Sequence, residues 1–174
     1  MLSEVSKQRM GQRTPYERIY EFANSDIFDR MFREGIDLVE ETASYLDGDG
    51  RREAKFLERD AALAYASESM RLTTRLMQAA SWLLVHRGVR EGEISPRDAH
   101  DPKYRLGAKS VCTTVREPHA QLPQRLISLL ERSHRIYTRV DRIEGTLFDS
   151  GEHIIDNPVN AQLMRLKAAL SPLD

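Results

Sequence analysis

The side chains best suited to bind a metal ion stand together in one short segment, as Asp98, His100 and Asp101. Carboxylate oxygens and imidazole nitrogens are common metal ligands, but a real site spaces its ligands and supports them with further hydrogen bonds. Three such residues close together in a predicted loop form no prepared site. We therefore predict a solvated loop, with no metal and no other cofactor.

The only thiol of the chain is Cys112. Five histidines that could activate it are spread along the sequence, at His86, His100, His119, His134 and His153. A lone cysteine of this kind is usually inert, since a thiolate nucleophile needs a base or a positive environment beside it. We also find no glycine-rich phosphate loop, nucleophile elbow or paired-histidine metalloprotease motif. The sequence therefore predicts a protein that is not an enzyme.

Four arginines could contact nucleic acid, because they share one face of a predicted helix: Arg132, Arg135, Arg139 and Arg142. The alternative is a solvated face, or pairing with the first helix, whose residues 26–47 contain seven acids against two arginines. The formal net charge is −1, from 26 basic and 27 acidic residues. Since nucleic-acid binding normally leaves a basic excess, a solvated or paired face is the favoured interpretation.

Helical periodicity dominates the sequence and predicts an all-α fold, a three-helix bundle with a long central helix. Helix one begins after Ser25, a plausible N-cap, and ends at Asp47 before a Gly-containing turn. Helix two runs from about Arg51 to His86, and helix three begins near Leu122. The bundle therefore spans 26–148, with a long loop at 88–121 whose order stays open. Residues 1–25 and 149–174 are predicted to be a flexible leader, ending in a short helical turn, and a flexible tail.

Helix two has two adjacent apolar stripes, which predict a central helix with a neighbouring helix along each. One stripe consists of Leu63, Ala66, Met70, Thr73, Met77, Ala80 and Leu84, and the other of Tyr65, Ser69, Leu72, Leu76, Ala79 and Leu83. The remaining face has interface-type residues, and we predict a partner-binding strip of Arg71, Arg75, Gln78 and Trp82. The alternative is that Trp82 packs under the 88–121 loop while Glu68 pairs with Arg71.

The tail contains a short amphipathic segment that is too short to be a stable helix alone. We predict that it binds a partner or docks on the bundle through Leu163, Met164, Leu166 and Leu170. The longest apolar stretch, 79–85, is far shorter than the ~20 residues that span a bilayer. No signal peptide is evident at the N-terminus, so we expect a cytoplasmic protein without membrane partners.

Two segments resemble a known family. Val39–Gly48 (VEETASYLDG) resembles the end of its first helix, and Tyr65–Gln78 (YASESMRLTTRLMQ), followed by Ser81–Leu84 (SWLL), resembles its central helix. This is the regulator-of-CtrA-degradation family (RcdA), the DUF1465 type, and the resemblance covers roughly residues 26–148. It implies a small three-helix bundle, often a homodimer, that acts as a bacterial protease adaptor with a flexible C-terminal extension.

The resemblance further implies the partners. They are ClpXP primed by a receiver-domain adaptor, cargo regulators, and a cyclic-di-GMP-binding adaptor. We therefore expect a non-enzymatic adaptor that delivers substrates to ClpXP in cell-cycle-regulated proteolysis. Two alternatives remain, a structural dimerisation module and a nucleic-acid-associated regulator that uses the helix-three arginines.

Overall fold

The computed structural model describes residues 13–148, and within this range the chain is helical without a strand. A 3-10 turn lies at Pro102–Tyr104, and the α-helices are α1 (Pro15–Ala23), α2 (Asp26–Asp47), α3 (Asp49–Ala54), α4 (Arg59–Glu91), α5 (Pro96–Ala99), α6 (Lys109–Thr113) and α7 (Gln124–Phe148). The predicted all-α class is confirmed. Three long helices, α2, α4 and α7, pack together and enclose the core.

The core lies where α2, α4 and α7 meet, and it is built mainly from apolar side chains spaced at helical intervals. Its fully buried members include Leu38 of α2, Leu83 of α4 and Ile136 of α7. Gly35 lets α2 approach closely, because a Cβ at this position would lie 2.7 Å from Leu83 Cδ1. Ser25 caps α2 as predicted, its side chain accepting a hydrogen bond from the Phe28 backbone N–H.

The central helix begins and ends later than predicted. In place of one helix from Arg51 to His86, a short α3 ends at Ala54 and α4 occupies Arg59–Glu91. Gly50 is buried against aromatic rings, and a Cβ there would lie 2.6 Å from the Tyr65 hydroxyl. Helix α4 continues past His86 until Gly92, whose left-handed φ of 76° supplies the glycine cap.

Helix α1 lies in the segment predicted to be a leader that ends in a short helical turn. Thr14 and Glu17 form a capping box at its first turn, which fixes where the helix begins. Ile19 and Ala23 are fully buried, and the Arg18 guanidinium donates to the Leu147 carbonyl at the end of α7. The packed body therefore includes residues 15–23 and not only the predicted 26–148.

The long connection between α4 and α7 is ordered by short helices and by buried anchors. Ala99, Leu106 and Cys112 insert into the core from three separate points. The Leu106 backbone N–H donates to the Glu144 carboxylate at 2.8 Å. The sequence left the order of the 88–121 loop open, and in the structure this loop packs along one side of α4 and α7.

Candidate functional site

The predicted partner strip on the central helix lies inside the body. Arg71, Arg75 and Trp82 are buried, with only 8%, 3% and 1% of their surface exposed, and Gln78 is half-buried. The expectation that this face is exposed is therefore wrong. The alternative interpretation holds for Arg71, which pairs with Glu68 at 2.9 Å. Loop residues 107–114 bind Arg71, Arg75 and Gln78, whereas the ring of Trp82 contacts Phe22 of α1 and His86.

Arg75 joins three parts of the body through one guanidinium group. Its Nε donates to the Cys112 carbonyl at 2.9 Å, and its Nη1 donates to the Leu130 carbonyl and the Ser133 hydroxyl, each at 3.1 Å. Burial lowers the pKa of Arg75 from its ordinary value, yet an arginine remains charged at neutral pH. Ser133, a fully buried polar residue of α7, thus supplies an acceptor for a buried charge.

Neighbouring strip residues fasten the loop in the same way. Arg71 donates to the Thr114 carbonyl at 3.3 Å, and Gln78 accepts a hydrogen bond from the Gly107 backbone N–H at 2.7 Å. Trp82 stacks on His86 with ring centroids 3.8 Å apart. Burial lowers the pKa of His86 to about 4, so its ring is neutral at pH 7. Arg71, Arg75 and Gln78 therefore have a structural role in holding the loop, while Trp82 and His86 pack against Phe22 of α1.

The exposed face of α4 is instead the first apolar stripe, which we predicted to pack against another helix. Met70 is 72% exposed, Met77 and Leu63 are 64% exposed, and Leu84 is 53% exposed. Between residues 61 and 86 the exposed positions of α4 are uncharged, and we call them the α4 seam: Leu63, Ala66, Ser67, Met70, Thr73, Met77, Ser81 and Leu84. The prediction of a helix neighbour along this stripe is wrong for the described chain.

The α4 seam has the composition of a surface that another protein covers. A solvated helix face normally has charged residues, whereas an extended exposed apolar strip marks an interaction site. Its polar hydroxyls are partly satisfied within the helix, as Thr73 donates to the Ser69 carbonyl at 2.9 Å. The sequence indicates this surface through Leu63, Met70, Met77 and Leu84, which recur every seven residues on a face without charged residues. The same pattern is typical of a helix face packed in a core, which is the structure that the sequence analysis predicts for it.

The arginine face of α7 is divided between paired and unpaired members. Arg132 pairs with Glu41 at 2.7 Å and Arg139 pairs with Glu34 at 2.5 Å, so the predicted pairing with the first long helix occurs at two positions. Within residues 13–148, Arg135 and Arg142 form no ion pair.

The residues considered for chemistry have structural roles. Asp101 caps the 3-10 turn by accepting a hydrogen bond from the Lys103 N–H at 2.9 Å. Asp98 accepts a hydrogen bond of 2.6 Å from the hydroxyl of Ser95, the N-cap of α5. His100 packs edge-on to Tyr16. Cys112 is fully buried, and burial raises the pKa of its thiol. Residues 13–148 contain no cluster of three or more metal-ligating side chains.

A third kind of surface lies between α4, α7 and the segment 114–118, as a cavity of about 220 Å³ that Arg71, Leu130 and His134 help to line. It opens beside the Arg71–Glu68 ion pair, in which the carboxylate of Glu68 already compensates the charge of Arg71. The predicted tail residues Leu163, Met164, Leu166 and Leu170 lie outside the described residues. No helix within the described range is both long and apolar enough to cross a membrane.

Comparison with known proteins places the chain in a family. The family model described as "Protein of unknown function (DUF1465)" matches residues 19–170, which extends the resemblance into α1 and the tail. Among proteins with curated functions, none matches. The crystal structure of RcdA from Caulobacter crescentus CB15 is similar, with a TM-score of 0.60 and 52% sequence identity over 74% of this chain and 97% of that chain. This chain therefore belongs to the RcdA (DUF1465) family.

Proposed function

We propose that this chain is a non-enzymatic, cytoplasmic adaptor that delivers substrates to the ClpXP protease in cell-cycle-regulated proteolysis. It bridges protease primed by a receiver-domain adaptor, cargo regulators, and a further adaptor that binds cyclic di-GMP. The observation that carries the proposal is the 52% identity to RcdA over nearly all of that chain. The uncharged, exposed α4 seam supports it, because a bridging protein needs surfaces for other proteins.

Homodimerisation is part of the proposal, and we assign it to the α4 seam. The seam is nearly symmetric when its sequence is reversed, since Leu63 then falls on Leu84, Met70 on Met77 and Thr73 on Thr74. A two-fold axis near Thr73 would bring two α4 helices together antiparallel, so that the seam of one chain packs on the same seam of the second chain, with Leu63 against Leu84 and Met70 against Met77. Small residues between the large ones allow close approach, and the contact would extend for about 31 Å along the helix.

The dimer is tested by the molecular mass in solution. Met70→Lys combined with Met77→Lys places two charges at the centre of the seam, so we expect a monomer by sedimentation equilibrium with unchanged helical circular dichroism. Phe56→Lys is the matched control, because Phe56 is 88% exposed in the turn between α3 and α4. A double variant that stays dimeric would remove the seam from the proposal.

The mechanism we propose is tethering. One surface of the dimer holds primed protease and another holds cargo, so that the encounter of cargo with the protease becomes intramolecular. Linkage alone raises effective affinity by about 10²–10⁴-fold when the geometry allows both contacts. The tail contributes one contact through Leu163, Met164, Leu166 and Leu170, whose apolar face requires a partner to be buried.

The function is tested by cargo degradation with ClpXP and its receiver-domain adaptor, with and without this chain. We expect acceleration by the full chain and none by a chain ending at Phe148. Urea denaturation of the shortened chain is the necessary control, and we expect nearly unchanged stability. Unfolding of the shortened chain would show that the tail is part of the core and would overturn its role as a contact.

A structural dimerisation module is the second candidate, and the α4 seam favours it as well. Such a module would self-associate through α4 without binding protease or cargo. Affinity capture with the full chain therefore distinguishes the two functions: an adaptor retains primed ClpXP and cargo, while a structural module retains only its own copies.

A further inference from the structure

A groove between the start of α2 and the last turns of α7 combines an apolar floor with a basic rim. It has a volume of about 390 Å³. Its floor is formed by Ile27, Met31 and Ile143, and Ile27 is an apolar side chain that is 53% exposed. Arg30 and Arg142 lie at its rim. An apolar floor with charged edges is suited to a short apolar segment flanked by charges of opposite sign.

The charges at the groove are unbalanced. Three arginines and one glutamate line it, and that glutamate, Glu34, is already paired with Arg139. Within residues 13–148, neither Arg30 nor Arg142 forms an ion pair. The groove thus presents two uncompensated positive charges beside exposed apolar surface, which favours an acidic and apolar occupant.

The chain contains such a segment directly after α7. Residues 152–156 read Glu-His-Ile-Ile-Asp, with two isoleucines between two acids. We propose that this segment of the tail docks in the α2–α7 groove of its own chain. Ile154 and Ile155 cover Ile27 and Ile143, and Glu152 and Asp156 pair with Arg142 and Arg30.

The length of the connection allows this return. Ile143 lies five residues before the end of α7, which is about 7–8 Å along the helix axis. Residues 149–153 span up to about 17 Å when extended, so Ile154 reaches the groove without strain on α7. Docking of residues 152–156 would restrict the leucines of 163–170 to the side of the bundle that contains the groove. The inference does not depend on the adaptor function.

Disulfide trapping tests the proposal in the full chain. Ile27→Cys combined with Ile154→Cys should form an intramolecular disulfide on mild oxidation, at least about tenfold faster than the matched pair Phe56→Cys with Ile154→Cys, because docking raises the effective concentration of the two thiols. Phe56 is exposed but follows α3, at the opposite end of α2 from the groove. Cys112 stays in place, since it is fully buried. Equal rates for the two pairs would overturn the proposal, and so would a disulfide that joins two chains.

Charge reversal separates docking from simple proximity. Arg30→Glu with Arg142→Glu should slow trapping to the rate of the Phe56 pair, and adding Glu152→Lys with Asp156→Lys should restore it. Arg135→Glu is the control, because Arg135 is an exposed α7 arginine outside the groove. High salt should slow trapping of the unreversed pair. Trapping that is indifferent to both reversal and salt would show that the charges do not hold the segment and would overturn the assigned pairing.

Discussion

The sharpest structural prediction concerns Arg75, which the sequence analysis placed in a partner-binding strip and which in the structure binds residues of its own chain. Arg75 is only 3% exposed, and its guanidinium donates to Cys112 on α6 and to Leu130 and Ser133 on α7. Arg75→Ala removes these donors and leaves two carbonyls and a hydroxyl partly unsatisfied. We expect the contact between α4, α6 and α7 to weaken without a change of fold.

The size of the effect follows from opposing contributions. Hydrogen bonds from a charged group are worth about 1.5–3 kcal/mol each, but removing Arg75 also relieves the cost of burying its charge, which offsets much of the sum. We expect the free energy of unfolding to fall by about 3 kcal/mol. Arg75→Lys should recover only part of it, because an ammonium group cannot span acceptors on two helices as the planar guanidinium does.

Urea denaturation at fixed protein concentration measures this difference. A loss of about 3 kcal/mol corresponds to a fall in Tm of about 6–12 °C for a chain of this size. Arg51→Ala is the control, since Arg51 is 73% exposed and its ion pair with Asp47 is a loose 3.8 Å contact; we expect a change of at most about 0.5 kcal/mol. If Arg75→Ala were as mild as Arg51→Ala, the assignment of Arg75 as a joint between helices would be wrong.

Two further predictions use the same assay. Burial lowers the pKa of His86 from 6.5 to about 4, so the folded state keeps the ring neutral at a pH where the unfolded chain binds a proton. The contribution of His86 to stability is therefore full above about pH 6.5 and falls by about 2 kcal/mol at pH 5. When the free energies of unfolding at pH 5 and pH 7.5 are compared, His86→Phe should remove this share of the loss, and an unchanged difference between the two pH values would contradict it. Gly35→Ala gains up to about 1 kcal/mol of helix propensity, but its Cβ meets the fully buried Leu83 and overpacking costs about 1–3 kcal/mol, so we expect a net loss of up to about 2 kcal/mol. Gly145→Ala, with open space around the added Cβ, should stabilise by up to about 1 kcal/mol. The same sign at both sites would contradict the close approach of α2.

Much of the fold could be predicted from local signals. Ser25 and the glycine-containing turn after Asp47 bound the first long helix, since caps and breakers act within a few residues. The end of α4 was missed because the helix passes through Gly88 and stops at Gly92, and sequence alone does not show which glycine adopts a left-handed conformation. The requirement for glycine at position 50 was also not predictable, because it arises from Tyr45 and Tyr65, which folding brings against its backbone.

The site was harder to predict because burial on a central helix is decided by other elements. An Arg-Arg-Gln-Trp strip has interface composition, but here the 88–121 loop binds Arg71, Arg75 and Gln78, and α1 packs on Trp82 through Phe22. Conversely, the stripe containing Leu63, Met70, Met77 and Leu84 has core composition and is exposed in the described chain. Periodicity identifies which residues share a face, and only tertiary packing shows what covers that face.

The most direct test of the proposed delivery compares two ClpXP substrates over a range of concentrations of this chain. One is a cargo that requires the adaptors, and the other is a model substrate that the protease degrades unaided. Tethering predicts that only the cargo is accelerated, and that a large excess of this chain slows cargo degradation again, since protease and cargo then occupy different adaptor molecules. Equal acceleration of both substrates, or of neither, would contradict delivery by tethering.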